Sequence, residues 1–152
     1  MDVSHGGDVI LGKPEITYMK ALKGKRVGVE ATSLGASFIT RALERNGISV
    51  KDIQVVSLEL TEHERAYKQG NVDAVFTFGL AEIKLLVAGV RSLFDSSQIT
   101  GKIVDIIAVI TEVTANYFDT IKSLINGRFC TLNFSFIFLK TILTMQIFLL
   151  LN

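Results

Sequence analysis

Residues Lys25–Asn46 read KRVGVEATSLGASFITRALERN, and the reading of this stretch decides the fold. Arg26–Glu30 has the pattern of a buried strand, Ala31–Gly35 that of a short turn, and an amphipathic helix is expected from about Ala36. A small, hydroxyl-bearing turn feeding a helix N-terminus brings backbone N–H groups and the positive end of the helix dipole to an anion. Ser33, Gly35 and Ala36 are therefore the first candidate ligand contacts. A second reading stays open, in which Thr32 or Ser33 does no more than cap the helix, worth about 1 kcal/mol. The segment matches neither G-x-G-x-x-G nor the P-loop, which argues against a nucleotide.

Working outward, Gly47 stops that helix, Ile53–Leu60 is expected as the next strand, and Thr61 with Glu64 forms a capping-box pattern at the start of a further helix. Asn71–Phe78 (NVDAVFTF) is a strand rich in β-branched and aromatic residues. Leu80–Ala88 follows as a helix with Leu80, Ile83, Leu86 and Val87 on one face, then Val90–Phe94 as a short strand and Asp95–Gly101 as a loop. Ile103–Ile110 is an almost wholly apolar run, as expected of a strand buried on both faces. A helical period returns over Thr114–Ile125. On the other side, Ser4–Asp8 is turn chemistry, Val9–Leu11 a short apolar run, and Gly12-Lys13-Pro14 a break. Strands alternating with helices predict an α/β fold, a mainly parallel sheet with helices on both faces.

The totals allow one domain with a real core: 152 residues, 16 basic and 15 acidic, net charge +1. That balance argues for neither nucleic acid nor an acidic partner. The lone Cys130 excludes an internal disulfide and a cysteine-based zinc site. Met1–Gly12 has acids, His and glycines where a secretory leader needs a basic and then an apolar region, so the chain as written is expected to stay where it is made, in the cytoplasm. Of the 31 charged residues only Lys140 lies within Cys130–Asn152, yet four of the ten Phe do. This tail approaches the length of a bilayer span. Lys140 near its centre costs on the order of 3 kcal/mol on insertion scales, which weakens the membrane reading. A helix buried within the fold stays open beside the membrane reading, and a terminus foreign to the parent fold, from truncation or a reading-frame change, is the expectation.

Other chemistry-bearing residues are few. Thr77 and Phe78 end a strand where open α/β sheets bind ligands, although Phe78 reads more readily as core. Asp95-Ser96-Ser97-Gln98 could line a cleft, with a solvated turn as the default. Asp105 inside an apolar run needs hydrogen-bond partners. His5 and His63 show no metal-ligand spacing, and His63, between Glu62 and Glu64, reads as a helix-surface residue. No catalytic constellation, cofactor motif or metal site is expected.

Four segments taken together, LKGKRVGV (Leu22–Val29), SLG (Ser33–Gly35), LERNG (Leu43–Gly47) and GNVDA (Gly70–Ala74), resemble the substrate-binding proteins of ABC importers. Nearest in pattern is the group for aliphatic sulfonates, taurine, nitrate and thiamine precursors, and the resemblance extends over about residues 2–129. It implies a two-lobed periplasmic-binding-protein type 2 fold that encloses a small ligand and delivers it to an ABC permease, outside the cytoplasm in the full-length family. It implies that residues 1–24 end the first lobe and enter the hinge, 25–101 form the second lobe, 102–129 return toward the first, and 130–152 are an apolar tail outside the family pattern. By the same matching Ser33, Gly35 and Ala36 touch ligand, and Ser4 and Gly6 lie near the hinge-side wall. Where the family often has an aromatic followed by Glu-Pro, this chain has Phe78-Gly79-Leu80, which argues against a positively charged ligand. The function implied is solute capture without chemistry, weak in a fragment. The competing readings are an enzyme resembling thiamine-pyrimidine-precursor synthases, an effector-sensing domain of the same fold, and a membrane-tethered protein.

Overall fold

The computed structural model describes residues 2–130. It divides into two units, Met1–Ile106 and Ile107–Asn152. The first is built on a five-stranded sheet of β2 (Asp8–Gly12), β3 (Arg26–Val29), β4 (Gln54–Ser57), β5 (Ala74–Phe78) and β6 (Arg91–Asp95), in the order β4-β3-β5-β2-β6. β3 pairs in parallel with β4 and β5, whereas β2 is antiparallel to both β5 and β6. Four strands thus run one way and β2 runs against them. An apolar run does not encode its direction, so the sequence could not show this. β2 is also an inner strand of the same sheet as Arg26–Val29. A separate two-stranded ladder pairs β1 (Asp2–Val3) with β7 (Val104–Asp105).

The period-2 alternation of the strands divides the core. On one face Ile10, Val27, Val29, Ala74, Phe76 and Phe94 pack with Phe38, Ile39, Ala42 and Leu43 of helix α1 (Ser33–Arg45). Phe38 stacks on Phe76 at 4.5 Å and meets Phe94 edge-on at 5.9 Å. On the other face Val9, Leu11 and Val75 pack with Ala66 and Tyr67 of α2 (His63–Lys68) and Leu85 of α3 (Gly79–Val87). Helices cover both faces, as the alternation of elements predicts. At a few kcal/mol for each buried large side chain, these two layers dominate the stability of the unit.

α1 begins at Ser33, three residues before the expected Ala36, because Thr32 caps it. It ends where Gly47, at φ +68°, lets the amides of Gly47 and Ile48 return to the carbonyls of Glu44 and Leu43. Four other expectations are corrected. Thr61 does not cap α2; a 3-10 turn, Leu60–Glu62, precedes the helix, and the Glu62 carboxylate accepts the Glu59 amide at 3.3 Å. The apolar face of α3 points outward: Leu80, Ile83, Leu86 and Val87 are exposed and Leu85 is the buried residue of the helix. The stripe turned inward carries Ala81, Glu82 and Leu85, so the way the helix sits on the sheet overrides its apolar pattern. Ile103–Ile110 is not a buried strand, since only Val104–Asp105 joins a ladder and Ile106, Ile107, Val109 and Ile110 are exposed. The Asp105 side chain lies outside those described. In the second unit the expected helix over Thr114–Ile125 is two: α4 (Thr111–Asn116), a break at Tyr117, then helical residues 118–130.

The tail readings for residues 131–152 lie outside the described residues. Among the described residues no helix is long and apolar enough to cross a membrane.

Candidate functional site

The carboxyl ends of β3, β4, β5 and β6 share one edge of the sheet, joined by the start of β2, since Asp8 pairs with Phe78 and Val9 with Asp95. Five connections converge there: Ser4–Asp8, Glu30–Thr32, Leu58–Glu62, Phe78–Gly79 and Asp95–Ser97. In open α/β sheets this is the edge that meets ligands. The candidates fall into three groups along it.

The first group is the turn after β3. Thr32 Oγ1 accepts the Gly35 amide at 3.1 Å, so Thr32 is the cap and the Ser33 hydroxyl is left exposed. The amides of Ser33 and Leu34 head the helix, where no intrahelical acceptor exists, and the dipole adds to their attraction for an anion. Ser33 and Ala36 border a hollow of about 480 Å³ with Val29, Thr32, Ile39 and Val55. Glu30 lines it too, and its carboxylate accepts the Thr32 hydroxyl at 3.3 Å, so a negative charge already stands beside the start of α1. Gly35 is buried, and a Cβ built on it would lie 2.3 Å from the Glu30 carbonyl oxygen. Close backbone approach requires this glycine. Thr32→Ala removes the cap bond from the Gly35 amide and the exposed bond to the Glu30 carboxylate, and should cost about 1 kcal/mol in urea-unfolding free energy.

In the second group Ser4 and Gly6 converge on Ser96. Ser96 Oγ accepts the Gly6 amide at 2.7 Å and lies 3.0 Å from Ser4 Oγ, and Ser4 also donates to the Asp8 carboxylate. Ser96 is fully buried, so this part of the Asp95–Gln98 segment is an internal hydrogen-bonding centre and not a solvated turn. Glu82 faces the same corner. Burial, with Asp8 and Asp95 adding to it, holds the Glu82 carboxyl above its ordinary range.

The third group ends β5. Phe78 is half-buried, its ring 6.0 Å from that of Phe76, and with Leu60, Thr61, Gly79, Leu80 and Lys84 it lines a second hollow of about 440 Å³. Thr77 is fully buried, and its Oγ1 lies 3.1 Å from Nδ1 of His63. His63 is fully buried as well, which corrects its reading as a surface residue. Its flanking glutamates look solvated in sequence, but α2 turns the imidazole toward the sheet. Sequence reasoning missed Ser96, Asp8 and His63 as members of this edge; only the polar Asp95–Gln98 segment after a strand hinted at Ser96. His5 is exposed. Among the described residues no group of three or more His, Cys, Asp or Glu is placed to hold a metal.

Helices on both faces of a mostly parallel sheet, with strand-end turns gathered on one edge, make this an open α/β fold, and the solved structures similar to it are periplasmic-binding-protein-like. The chain belongs to the NMT1/THI5-like family, whose profile matches residues 6–126. Among solved structures it is similar to the periplasmic aliphatic sulphonate binding protein SsuA from Escherichia coli, with 32% identity and a TM-score of 0.57 over 61% of this chain and 33% of that one. The alkanesulfonate-binding protein SsuA from Xanthomonas axonopodis pv. citri, bound to MOPS, shares the fold at 24% identity, TM-score 0.59, covering 64% of this chain and 35% of that one. The desulfurization enzyme DszB shares it at 18% identity, TM-score 0.52, covering 63% and 43%. The chain spans about a third of the length of the two SsuA proteins. No curated protein sequence matches it.

Proposed function

We propose that this chain carries one ligand-facing lobe of the solute-binding component of an ABC importer, which captures a small anionic or heterocyclic compound between two lobes and passes it to a permease. The observation that carries the reading is the first turn of α1. Free amides, the Ser33 hydroxyl and Ala36 open on a hollow at the carboxyl edge of a sheet similar to that of a sulphonate-binding protein. Such a component works outside the cytoplasm, and we infer that compartment for the whole protein. The β1–β7 ladder is the proposed hinge crossing, and Ser4, Gly6, Thr77 and Phe78 belong to the wall behind the ligand.

Capture is favoured over turnover on the geometry of the one hydroxyl–imidazole pair among the described hydrogen bonds. Thr77 and His63 have the spacing of a nucleophile and its base, but both are fully buried and neither offers a reacting atom to a substrate. Closure in two-lobed binders draws on contacts from both walls. Ethanesulfonate titrated into the labelled chain is therefore expected to shift the amides of residues 32–36 only at millimolar concentration. Micromolar binding would overturn the half-site reading, and no shift at any concentration would overturn the ligand reading.

A further inference from the structure

We propose that His63 is the positioning residue of this edge: through Thr77 it fixes the Phe78–Gly79 corner on which the second hollow and the start of α3 are built. The proposal rests on the ligand-lobe reading for its functional meaning, and on the following geometry for its structure. His63 is the first residue of α2, and its Nδ1 reaches 3.1 Å across to the Thr77 hydroxyl, one residue before the corner. Thr77 precedes Phe78, which lines the second hollow, and Gly79, whose φ of +61° makes the sharp turn into α3. The hydrogen bond thus joins α2 to the end of β5 at the point where the chain changes direction.

His63 Nε2 is buried with no hydrogen-bond partner in the protein. A neutral ring leaves one nitrogen unsatisfied there. A charged ring makes both nitrogens donors; the Leu58 carbonyl favours that form, and burial opposes it. The charged groups that act on the ring are Glu30 after β3 and Glu59 and Glu62 before α2, while on α2 and α3 the Glu64 carboxylate is engaged by Lys68 at 2.7 Å and Lys84 at 3.0 Å. Burial outweighs the Leu58 carbonyl and the three glutamates, and the imidazole is held below its ordinary range. The folded state therefore resists the proton that the unfolded chain accepts. The stability this contributes is whole above about pH 6.5, the unfolded value, and declines as pH falls below it.

The test follows the ring and the corner in the full chain, without additive, between pH 8 and 4.5. The His63 Cε1–H signal is expected to titrate below the ordinary histidine range, with the amides of Thr77, Phe78 and Gly79 moving on the same curve. Their protection from hydrogen exchange should fall at least tenfold as the ring charges. His63→Asn keeps a hydrogen-bonding group at the Nδ1 position and should retain the protection at neutral pH while losing the pH step. His63→Leu should lose the protection at every pH. Corner amides that ignore the ring's titration, or a folded His63→Leu as protected as the parent, would overturn the proposal. Should His63→Leu not fold, the parent's titration and His63→Asn decide the matter. Ethanesulfonate is added only afterwards: if it shifts nothing in the parent, the ligand reading fails while the role of His63 stands or falls on the measurements already made.

Discussion

Gly35→Ala is expected to lower the stability of the chain by about 3 kcal/mol and its unfolding midpoint by roughly 10 °C. Helix propensity alone predicts the opposite sign, since alanine exceeds glycine by about 1 kcal/mol inside a helix. The clash decides. The added Cβ would sit 2.3 Å from the Glu30 carbonyl oxygen and 3.1 Å from Val29 Cγ1. Neither is the loose end of a flexible side chain. The Glu30 carbonyl also accepts the Thr32 amide at 2.8 Å, so moving it disturbs the turn that presents the capping threonine. Gly47→Ala provides the contrast. Nothing lies within 4 Å of its Cβ position, and only the φ of +68° opposes the change, for about 1 kcal/mol. Thermal unfolding of both variants separates close approach from backbone conformation. Equal losses, or a stabilised Gly35→Ala, would show that the turn yields and that Gly35 is not required by packing.

Asp73→Asn should cost about 1 to 2 kcal/mol at pH 7 and almost nothing near pH 2. Asp73 stands just before β5 and ties three strands together. Arg26 Nη2 reaches its Oδ1 at 2.8 Å and Arg26 Nε its Oδ2 at 3.1 Å; the Arg26 amide adds 3.0 Å, and Lys13 beyond β2 lies at 3.6 Å. A bidentate guanidinium bond is the strongest form of such a pair. It holds the Asp73 carboxyl down at about 2, from an ordinary 3.8. Because the folded state favours the ionised form, the stabilisation is complete above the unfolded value of 3.8 and is lost as pH falls toward 2. Urea unfolding of parent and variant across that range should converge at the acid end. Curves that stay parallel down to pH 2 would show that the charge of Asp73 contributes nothing and that the asparagine acts through shape alone.

These two residues show how far the chain was legible. Both lie in segments that stood out in the sequence, the SLG turn and the GNVDA strand. Gly35 was read as a ligand contact, yet what requires glycine there is the approach of the Glu30 carbonyl, a distance between backbones that no residue pattern records. Asp73 belonged to a recognisable motif, but its partner Arg26 lies 47 residues away and becomes its neighbour only when β3 and β5 pair. His63 was misread for the opposite reason: the glutamates beside it dictate a wet surface, and the orientation of a two-turn helix on the sheet overrules them.

The sequence by itself determined the layers of this protein. Short apolar runs in the strands, period 3.6 in α1 and the glycines that end the helices depend on neighbours a few residues apart. They specify an α/β sheet covered on both faces and mark the turn after β3. Tertiary structure decided the rest. It turned β2 against its neighbours, faced the apolar stripe of α3 outward, and gathered Ser4, Gly6 and Ser96 at one corner and His63 and Thr77 at another. Strand direction, helix rotation and contact between distant residues follow from how whole elements pack. Packing energy is shared among many side chains, so no short stretch encodes it.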